Sequence, residues 1–255
     1  MTFFDSIILG VVEGITEFLP ISSTAHLILT SKLLGIQSSN FLKSFEIAIQ
    51  LGAIASVVVL YFKTFLKDWV TNSKIIVAFL PTALVGLTLY GFIKDRLFSS
   101  PAISVYALLF GGIFIIIFEW RHKEKPGYAL NLTEISFKKS FFIGCAQALA
   151  IIPGVSRAAA TILGGLALGI SRKTIVEFSF LLAVPTMLAA TILDLTKNHS
   201  AFTSANWQSL GIGFAVSFIV AILGIKFLLN YIKTKDFKLF GIYRVIIGLA
   251  FLWLL

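Results

Sequence analysis

Charged residues and cysteines are scarce in this chain. Charged residues make up 13% of its 255 positions, about half the share of an ordinary soluble domain, which argues against a water-soluble protein. The single cysteine, Cys145, excludes an internal disulfide and a metal site built on several cysteines. The N-terminus lacks a basic stretch and a small-residue cleavage site, so we expect no cleaved signal peptide.

Apolar residues, in contrast, are abundant. They form 58% of the chain, and the mean hydropathy is +0.95. Six apolar runs are close to the ~20 residues with which a helix crosses the hydrocarbon core of a bilayer. The sequence therefore predicts an all-α polytopic membrane protein with about six spanning helices. The runs cover approximately 41–62, 75–93, 102–118, 174–193, 208–229 and 239–255.

Two further apolar segments are interrupted by proline and polar residues. Residues 5–33 break at Pro20, and residues 140–170 break at Pro153. Irregular backbone at membrane depth is tolerated only where protein or a wet cavity surrounds it. We therefore predict two re-entrant hairpins, each made of two short half-helices.

The two interrupted segments resemble each other, which indicates an internal repeat. Each is followed by an apolar run that carries a glutamate, Glu46 or Glu177. Paired interrupted segments in two halves place a binding site at the interface between the repeats. We expect one membrane domain, with repeat one at about 1–118, a basic linker at 119–139 and repeat two at about 140–255. The residues that match at a single offset are Pro20, Ser23 and Ala25 in the first segment and Pro153, Ser156 and Ala158 in the second.

The distribution of Lys and Arg predicts the orientation in the membrane. If both hairpins return to the side they entered and the N-terminus is outside, the inner loops carry more cations, as the positive-inside rule requires. The net charge of +9 then reflects topology and anionic headgroups rather than nucleic acid. The hairpin tips meet near the midplane, as an inverted repeat requires. Cations assigned to the outer side are Lys32, Lys43, Lys94, Arg96 and Lys197, and those assigned to the inner side are Lys63, Lys67, Lys74, Arg121, Lys123, Lys125, Lys138, Lys139, Arg172, Lys173, Lys233, Lys235 and Lys238.

Glu13 and Glu17 lie four residues apart in the first hairpin, so they share one face of a helix. Two carboxylates this close repel each other in a low dielectric unless a cation or a proton lies between them. Mg²⁺ takes carboxylate and phosphate oxygens together, so we predict a site for Mg²⁺ or Ca²⁺. The alternative is that one glutamate faces the headgroups while the other caps a helix.

Hydroxyl groups follow Pro20, where a new half-helix should begin. Ser22, Ser23 and Thr24 are natural N-caps, and a helix start offers free N–H groups to an anion. His26 lies three residues beyond Ser23 on the same face, and a hydroxyl beside an imidazole is a nucleophile–base pair. The alternative for each hydroxyl is that it only caps the helix. The alternative for the histidine is a purely structural role.

Arg157 follows the break in the second hairpin. An arginine at membrane depth is costly unless it is paired, and a guanidinium beside free N–H groups suits a phosphate. We expect Gly154, Ser156 and Thr161 to contribute to the same substrate site. The alternative is a salt bridge from Arg157 to a buried glutamate, with no ligand.

These polar side chains together form a set suited to phosphoryl transfer. Carboxylates can hold a metal, a hydroxyl and an imidazole can attack, and an arginine can stabilise developing charge. Because the segments lie in the membrane, the expected substrate is a lipid phosphate. Glu46, Gln50 and Glu177 are predicted to orient these groups, although helix–helix hydrogen bonding would explain them equally.

Two stretches carry a family resemblance: EGITEFLPISSTAHLIL in the first hairpin and PGVSRAAATILGGLALGISR in the second, which EFSFLLAVP follows. They resemble the undecaprenyl-pyrophosphate phosphatase family, the bacitracin-resistance phosphatases of bacterial membranes, over essentially the whole chain. The resemblance implies removal of one phosphate from a C55 polyprenyl diphosphate, which regenerates the carrier for peptidoglycan synthesis and gives bacitracin tolerance. It also implies a divalent-cation requirement, an inverted-repeat helical fold, and a pocket open to the outer, periplasmic side of the plasma membrane.

The resemblance also assigns residues, with two departures. The family has glycine where this chain has Ala25, and Ser-Gly where it has Ala158 and Ala159. The missing hydroxyl removes a phosphate donor and the missing glycine adds bulk near the tip, but activity is still expected. The matching residues are Glu13 and Glu17 of the acidic motif, Ser22, Ser23 and His26 of the Ser/His motif, and Pro153, Gly154, Ser156, Arg157 and Thr161 of the PGxSR motif.

The expected mechanism is attack by Ser23, helped by His26, on the terminal phosphorus. His26 itself or an activated water are the alternatives. A polyprenyl-phosphate transporter or flippase is the competing function, and the Ser/His pair favours an enzyme because a carrier needs no nucleophile. Membrane lipids are expected partners and nucleic acid is not, while the oligomeric state is open, with a homodimer as one arrangement.

Overall fold

The part of the chain that the structure describes is helical and contains no β-strand. The computed structural model describes residues 1–89, 97, 101–124, 127–197 and 207–254. Lys94, Arg96 and Lys125, which the topology prediction uses, lie outside these residues. The eleven α-helices of the described part are α1 Phe3–Thr16, α2 Ser23–Leu33, α3 Asn40–Leu60, α4 Phe62–Lys67, α5 Trp69–Thr88, α6 Pro101–Arg121, α7 Phe137–Ala148, α8 Arg157–Ala167, α9 Arg172–Lys197, α10 Trp207–Tyr231 and α11 Lys238–Leu254.

Five of these helices, namely α3, α5, α6, α9 and α10, are long and apolar enough to cross a membrane. The sixth predicted run forms α11, which has 17 residues and packs along α6. Bulky apolar side chains such as Phe110, Leu223 and Trp253 are exposed on these helices, as expected of surfaces that face lipid. The prediction of an all-α polytopic membrane protein is confirmed.

The two interrupted segments form hairpins of short helices. In the first, α1 ends at Thr16 and α2 begins at Ser23; in the second, α7 ends at Ala148 and α8 begins at Arg157. α1 has 14 residues and is therefore ~21 Å long, and the other three arms are shorter. None of these four arms matches the ~30 Å hydrocarbon core, in agreement with the predicted re-entrant geometry.

Each hairpin packs mainly against a long helix of the other half. α1 lies along α10, and α7 lies along α5. A glycine makes both contacts close: an added Cβ at Gly10 would lie 2.8 Å from the carbonyl oxygen of Gly213, and one at Gly144 would collide with the carbonyl of Ala78. The hairpin of each half thus packs on a long helix of the other half, as expected if a two-fold axis relates the halves. The predicted repeat boundaries themselves stay a prediction.

The hairpins correspond residue by residue, but not in the predicted register. Thr2 and Ser136 cap α1 and α7 in the same way, each accepting a hydrogen bond from the third residue of its helix. Ser22 and Ser156 both have positive φ, 72° and 76°, directly before α2 and α8. The predicted match of Ser23 with Ser156 is therefore wrong by one residue, because two residues separate Pro153 from its serine and only one separates Pro20 from Ser22.

An ion pair joins three helices at the end that the sequence assigns to the inner side. The carboxylate of Glu119, near the end of α6, pairs with Arg172, the first residue of α9. The same carboxylate accepts a hydrogen bond from the backbone N–H of Phe237 at 3.1 Å, just before α11. In the neighbouring linker, hydrogen bonds from the Leu130 N–H and the Asn131 amide hold the pKa of the exposed Glu134 carboxylate below its usual value.

Replacing Gly144 by alanine tests the contact between α7 and α5. The added methyl group meets a backbone carbonyl, which cannot move without separating the helices, so we expect Gly144→Ala to destabilise the fold by about 2 kcal/mol. Gly86 is the matched control, because no atom of the described residues lies within 4 Å of a Cβ added there. Gly86→Ala should be neutral or slightly stabilising. Thermal unfolding in detergent measures both, and equal melting temperatures would refute the close packing.

Candidate active site

An ion pair between the two hairpins lies at the centre of the polar cluster. Nη2 of Arg157, the first residue of α8, lies 2.9 Å from Oε1 of Glu17, directly after α1. The side chains are only 11% and 3% exposed. The sequence left a salt bridge without ligand as the alternative for Arg157, and Glu17 is the partner in the structure. The contact joins the two halves at one point.

Ser23 shares the same carboxylate. Its Oγ donates a hydrogen bond of 2.5 Å to Oε2 of Glu17, while Oε1 receives Arg157. Ser23 is the first residue of α2, the position that corresponds to Arg157 at the start of α8. One carboxylate therefore bridges the first residue of each second arm.

Ser179 on α9 supports Arg157 from the opposite side. Nη1 of Arg157 donates to the backbone oxygen of Ser179 at 2.7 Å and to its hydroxyl at 3.3 Å. Thr161, one turn further along α8, lies 2.6 Å from the same hydroxyl and donates to the Arg157 carbonyl at 2.9 Å. Nε of Arg157 is buried without a hydrogen-bond partner among the described residues. The guanidinium is thus held on two sides and keeps a donor for a ligand.

His26 does not bond to Ser23. Nδ1 lies 2.7 Å from the carbonyl oxygen of Ser22, and Nε2 lies 2.8 Å from the hydroxyl of Tyr243 on α11. Because a carbonyl can only accept, Nδ1 carries the proton of a neutral imidazole and Nε2 accepts from Tyr243. The predicted Ser23–His26 pairing is therefore absent from the described site: Ser23 donates to Glu17, and both ring nitrogens of His26 have other partners.

Glu13 is fully buried, and neither of its carboxylate oxygens has a partner among the described residues. Gln147 is its counterpart on α7, and that amide donates to Thr82 at 2.8 Å and to Thr186 at 3.1 Å. The second half thus holds a satisfied neutral amide where the first half holds a carboxylate without a partner. A buried charge without compensation is costly, so the first half is built to receive a cation or a proton here.

Glu13 and Glu17 are the residues that could hold a divalent cation. Within the described ranges, no three His, Cys, Asp or Glu side chains surround a common point. Mg²⁺ usually keeps several waters and takes one or two carboxylates together with substrate phosphates. The unpartnered carboxylate of Glu13 beside Glu17 fits that donor set, so these residues suit a metal that the substrate helps to bind.

The two half-helices begin at the site, but only one start is capped by a side chain. Ser156 accepts a hydrogen bond from the backbone N–H of Ala159 at 3.2 Å, whereas Ser22 makes no side-chain cap. The first turn of α2, which includes Thr24, therefore lacks a cap from Ser22 and stays suited to an anion. Gly154 has φ of +93° in the second tip, where a Cβ would collide with the backbone of α6.

The remaining predicted residues lie around the site or away from it. Glu46 accepts a hydrogen bond from Ser31 at 3.0 Å, which links α3 to α2. Gln50 is partly buried one turn further along α3. Glu177 instead lines a separate cavity of about 1370 Å³ with Lys173 and other residues of the inner end. The support that these three give to the site stays a prediction.

Sequence reasoning missed Ser179, Tyr243 and Arg244. Ser179 lies two residues beyond Glu177 in an apolar run and has no signal of its own. Tyr243 and Arg244 could have been predicted from the sequence. Arg244 is a cation in the last apolar run, and an arginine at membrane depth is costly unless it is paired, as for Arg157. Ala158 and Ala159, the departures from the family pattern, are buried in the core.

Comparison with known proteins adds the family context. The family described as bacitracin resistance protein BacA matches residues 6–250. An undecaprenyl-diphosphatase of Sulfurihydrogenibium sp. (strain YO3AOP1) is 52% identical over 99% of this chain and 100% of its own length. Proteins of the same name from Aquifex aeolicus and Wolinella succinogenes are each 49% identical, over 98% and 100% of this chain and 98% and 99% of theirs.

Exchanging the acid and the amide between the halves tests the difference between Glu13 and Gln147. Glu13→Gln replaces a buried carboxyl group that has no hydrogen-bond partner among the described residues, and we expect metal-free protein to gain about 2 kcal/mol of stability. Gln147→Glu places a charge where the fold is satisfied and should lower stability by a similar amount. Thermal unfolding in EDTA measures both. A destabilised Glu13→Gln variant would show that the carboxylate has a partner in the fold.

Proposed function

Because the chain belongs to the bacitracin resistance protein BacA family, we propose that it is an undecaprenyl-diphosphatase, a membrane hydrolase that acts on undecaprenyl diphosphate. Water cleaves the phosphoric anhydride, and the products are undecaprenyl phosphate and inorganic phosphate. The reaction regenerates the lipid carrier of peptidoglycan synthesis. It also gives tolerance to bacitracin, which sequesters the diphosphate.

The Glu17–Arg157 ion pair is the observation that carries this proposal. It brings a hydroxyl, a carboxylate and a guanidinium from two hairpins together in a membrane-embedded region. Two helix starts converge on the same point, and backbone N–H groups at helix starts bind phosphate. A carrier of lipid phosphate would need the guanidinium and the helix starts, but not a hydroxyl that donates to a carboxylate.

Ser23 is the nucleophile that the geometry favours. Glu17 accepts its hydroxyl proton while Oγ forms a bond to the terminal phosphorus. The bond from that phosphorus to the bridging oxygen breaks, and undecaprenyl phosphate leaves with the electron pair. Water then attacks the phosphoserine, Ser23 regains its proton from Glu17, and inorganic phosphate leaves. His26 is less suited to attack, because Tyr243 occupies its unprotonated nitrogen.

Arg157 and the helix starts stabilise the charge that develops on the transferred phosphoryl group. Nε of Arg157 has no hydrogen-bond partner among the described residues, so it is available to donate to a substrate oxygen. Glu13 and Glu17 would hold Mg²⁺ or Ca²⁺, which when bound neutralises charge on the diphosphate.

The bacterial plasma membrane is the proposed location, with the site open to the outer, periplasmic side. The basic linker before α7 and the basic loop between α10 and α11 define the inner side under the positive-inside rule. The short arms of both hairpins bring the tips to membrane depth, where a prenyl chain stays in the lipid while its diphosphate reaches Ser23. One chain supplies all of these residues, so a monomer suffices and the homodimer stays a prediction.

Ser23→Ala should lower phosphate release from a polyprenyl diphosphate by at least about 10³-fold, since it removes the nucleophile. Ser56 is the matched control, because its buried hydroxyl only donates to the Ala53 carbonyl on α3, and Ser56→Ala should keep its activity. Acid quenching with labelled diphosphate should trap phosphoserine in wild type. Full activity of Ser23→Ala would show that water or His26 is the nucleophile instead. A trapped phosphohistidine would identify His26.

Arg157→Lys should lower kcat by about 10²-fold or more, because a compact ammonium cannot span the positions of Glu17 and Ser179 that the two terminal nitrogens of the guanidinium bond. Arg172→Lys is the control, since Arg172 is also in an ion pair but bonds to none of the site residues. Steady-state phosphate release with Mg²⁺ and with EDTA compares the two variants. Equal kcat values would show that the Glu17–Arg157 contact is only structural.

Tyr243→Phe should reduce kcat by roughly 5- to 10-fold, the effect of losing one hydrogen bond to His26. The ring remains, so folding should be unaffected. Tyr106→Phe on α6 provides the control, because Tyr106 is exposed and stacks near Phe110. The nitrogen NMR signals of His26 should change at Nε2 and stay constant at Nδ1. A change at both nitrogens would contradict the assigned tautomer.

A further inference from the structure

Arg244 is a buried arginine that the proposed reaction does not use. It lies on α11, directly after Tyr243, and its relative exposure is 0%. Its five N–H groups can donate five hydrogen bonds, and five backbone carbonyls receive them at 2.8–3.3 Å. The acceptors are Pro20 in the first tip, Gly154 and Val155 in the second tip, and Ala107 and Leu108 on α6.

The surrounding backbone is shaped to admit this guanidinium. A Cβ added at Gly111 on α6 would collide with the guanidinium itself, and one at Gly112 would lie 2.9 Å from the Arg244 Cβ. Its hydrogen-bond partners in the described part of the chain are carbonyl oxygens, and no salt bridge is formed there. The carbonyl dipoles of the two tips therefore compensate its charge, and Arg244 holds the tips together.

The bonded carbonyls lie next to the reacting groups. The Val155 carbonyl belongs to the peptide directly before Ser156, and the Pro20 carbonyl lies one peptide further from Ser22; both serines have positive φ. Such backbone strain persists only where the surroundings hold it. With their carbonyls directed at Arg244, the tip peptides keep their oxygens away from the anionic substrate. The starts of α2 and α8, with Ser23 and Arg157, are thereby fixed relative to each other.

We propose that Arg244 is a positioning residue for phosphoryl transfer, which sets the distance between the two tips through its bonds to Pro20, Gly154 and Val155. The proposal rests on the proposed phosphatase function, because the groups that it positions are the nucleophile and the arginine of that reaction. Arg244 itself does not touch the substrate. Its effect is expected on kcat rather than on KM, because a misplacement of about 1 Å can cost 10²-fold in rate.

The primary test compares Arg244→Lys with Arg172→Lys. Lysine keeps the charge, but its three N–H donors cannot serve the five carbonyls that Arg244 bonds. The tips should therefore lose contacts, and kcat per folded molecule should fall by about 10²-fold while KM changes less than about 3-fold. Arg172→Lys should keep its kcat, because Arg172 bonds to neither tip. Normal kcat in folded Arg244→Lys would overturn the proposal. Inactive wild type in the same assay would instead overturn the phosphatase function.

A distance measurement separates positioning from general stability. Leu33 and Ala167 are exposed near the ends of α2 and α8, so spin labels there, in a Cys145→Ala background, report how the hairpins sit relative to each other. One narrow distance distribution is expected in wild type and in Arg172→Lys, and a broadened or shifted one in Arg244→Lys. An unchanged distribution in Arg244→Lys would overturn the proposal.

Gly111→Ala provides a second variant if Arg244→Lys does not fold. The added methyl displaces the guanidinium while the arginine remains, so kcat should again fall more than KM changes. Gly86→Ala is its control, because the added methyl meets no atom in the part of the chain that the structure describes. A Gly111→Ala variant with normal kcat and a normal label distance would likewise overturn the proposal.

Discussion

The ion pair between Glu17 and Arg157 is the interaction on which the rest of the site depends. Each partner is costly at membrane depth when alone, and each comes from a hairpin that cannot cross the bilayer. Each half of the protein therefore supplies the opposite charge that makes the buried charge of the other half tolerable. Two serines add hydrogen bonds to the pair. Ser23 donates to the Glu17 carboxylate, and Ser179 accepts from the Arg157 guanidinium. A substrate phosphate that approaches Arg157 therefore meets a guanidinium that Glu17 already pairs.

The two hairpins share a backbone plan but carry different chemistry at equivalent positions. Glu13 has Gln147 as its counterpart in the second hairpin, and Ser23 has Arg157. The first half has kept the acids and the nucleophile, while the second has kept the cation and a neutral amide. Symmetry in the fold thus brings two helix starts together, and the departure from symmetry in the side chains makes the junction reactive.

Much of this arrangement could be predicted from the sequence, because buried polar residues in apolar runs stand out. Both interrupted segments, the half-helix starts and the convergence of Glu17, Ser23 and Arg157 follow from proline, serine and charge placement alone. The predicted register between the hairpins failed because the two prolines are not equivalent: at the offset that relates Ser22 to Ser156, Pro153 corresponds to Leu19. The predicted pairing of His26 with Ser23 failed because a spacing of three residues cannot show that Ser22 and Tyr243 contact the two ring nitrogens. Ser179 acts largely through its backbone oxygen, which any residue could supply.

The packing of α1 on α10 has a consequence for how the chain is made. The ribosome completes α1 at Thr16, yet the helix that covers it begins only at Trp207. At synthesis rates of roughly 5–20 residues per second, the interval lasts on the order of tens of seconds. Until Arg157 is made, Glu17 lacks its ion-pair partner, and throughout the interval α1 lacks its final helix neighbour. The nascent first hairpin must therefore wait, in the insertion machinery or at the membrane surface, for the last fifth of the protein before it can take its place in the bilayer.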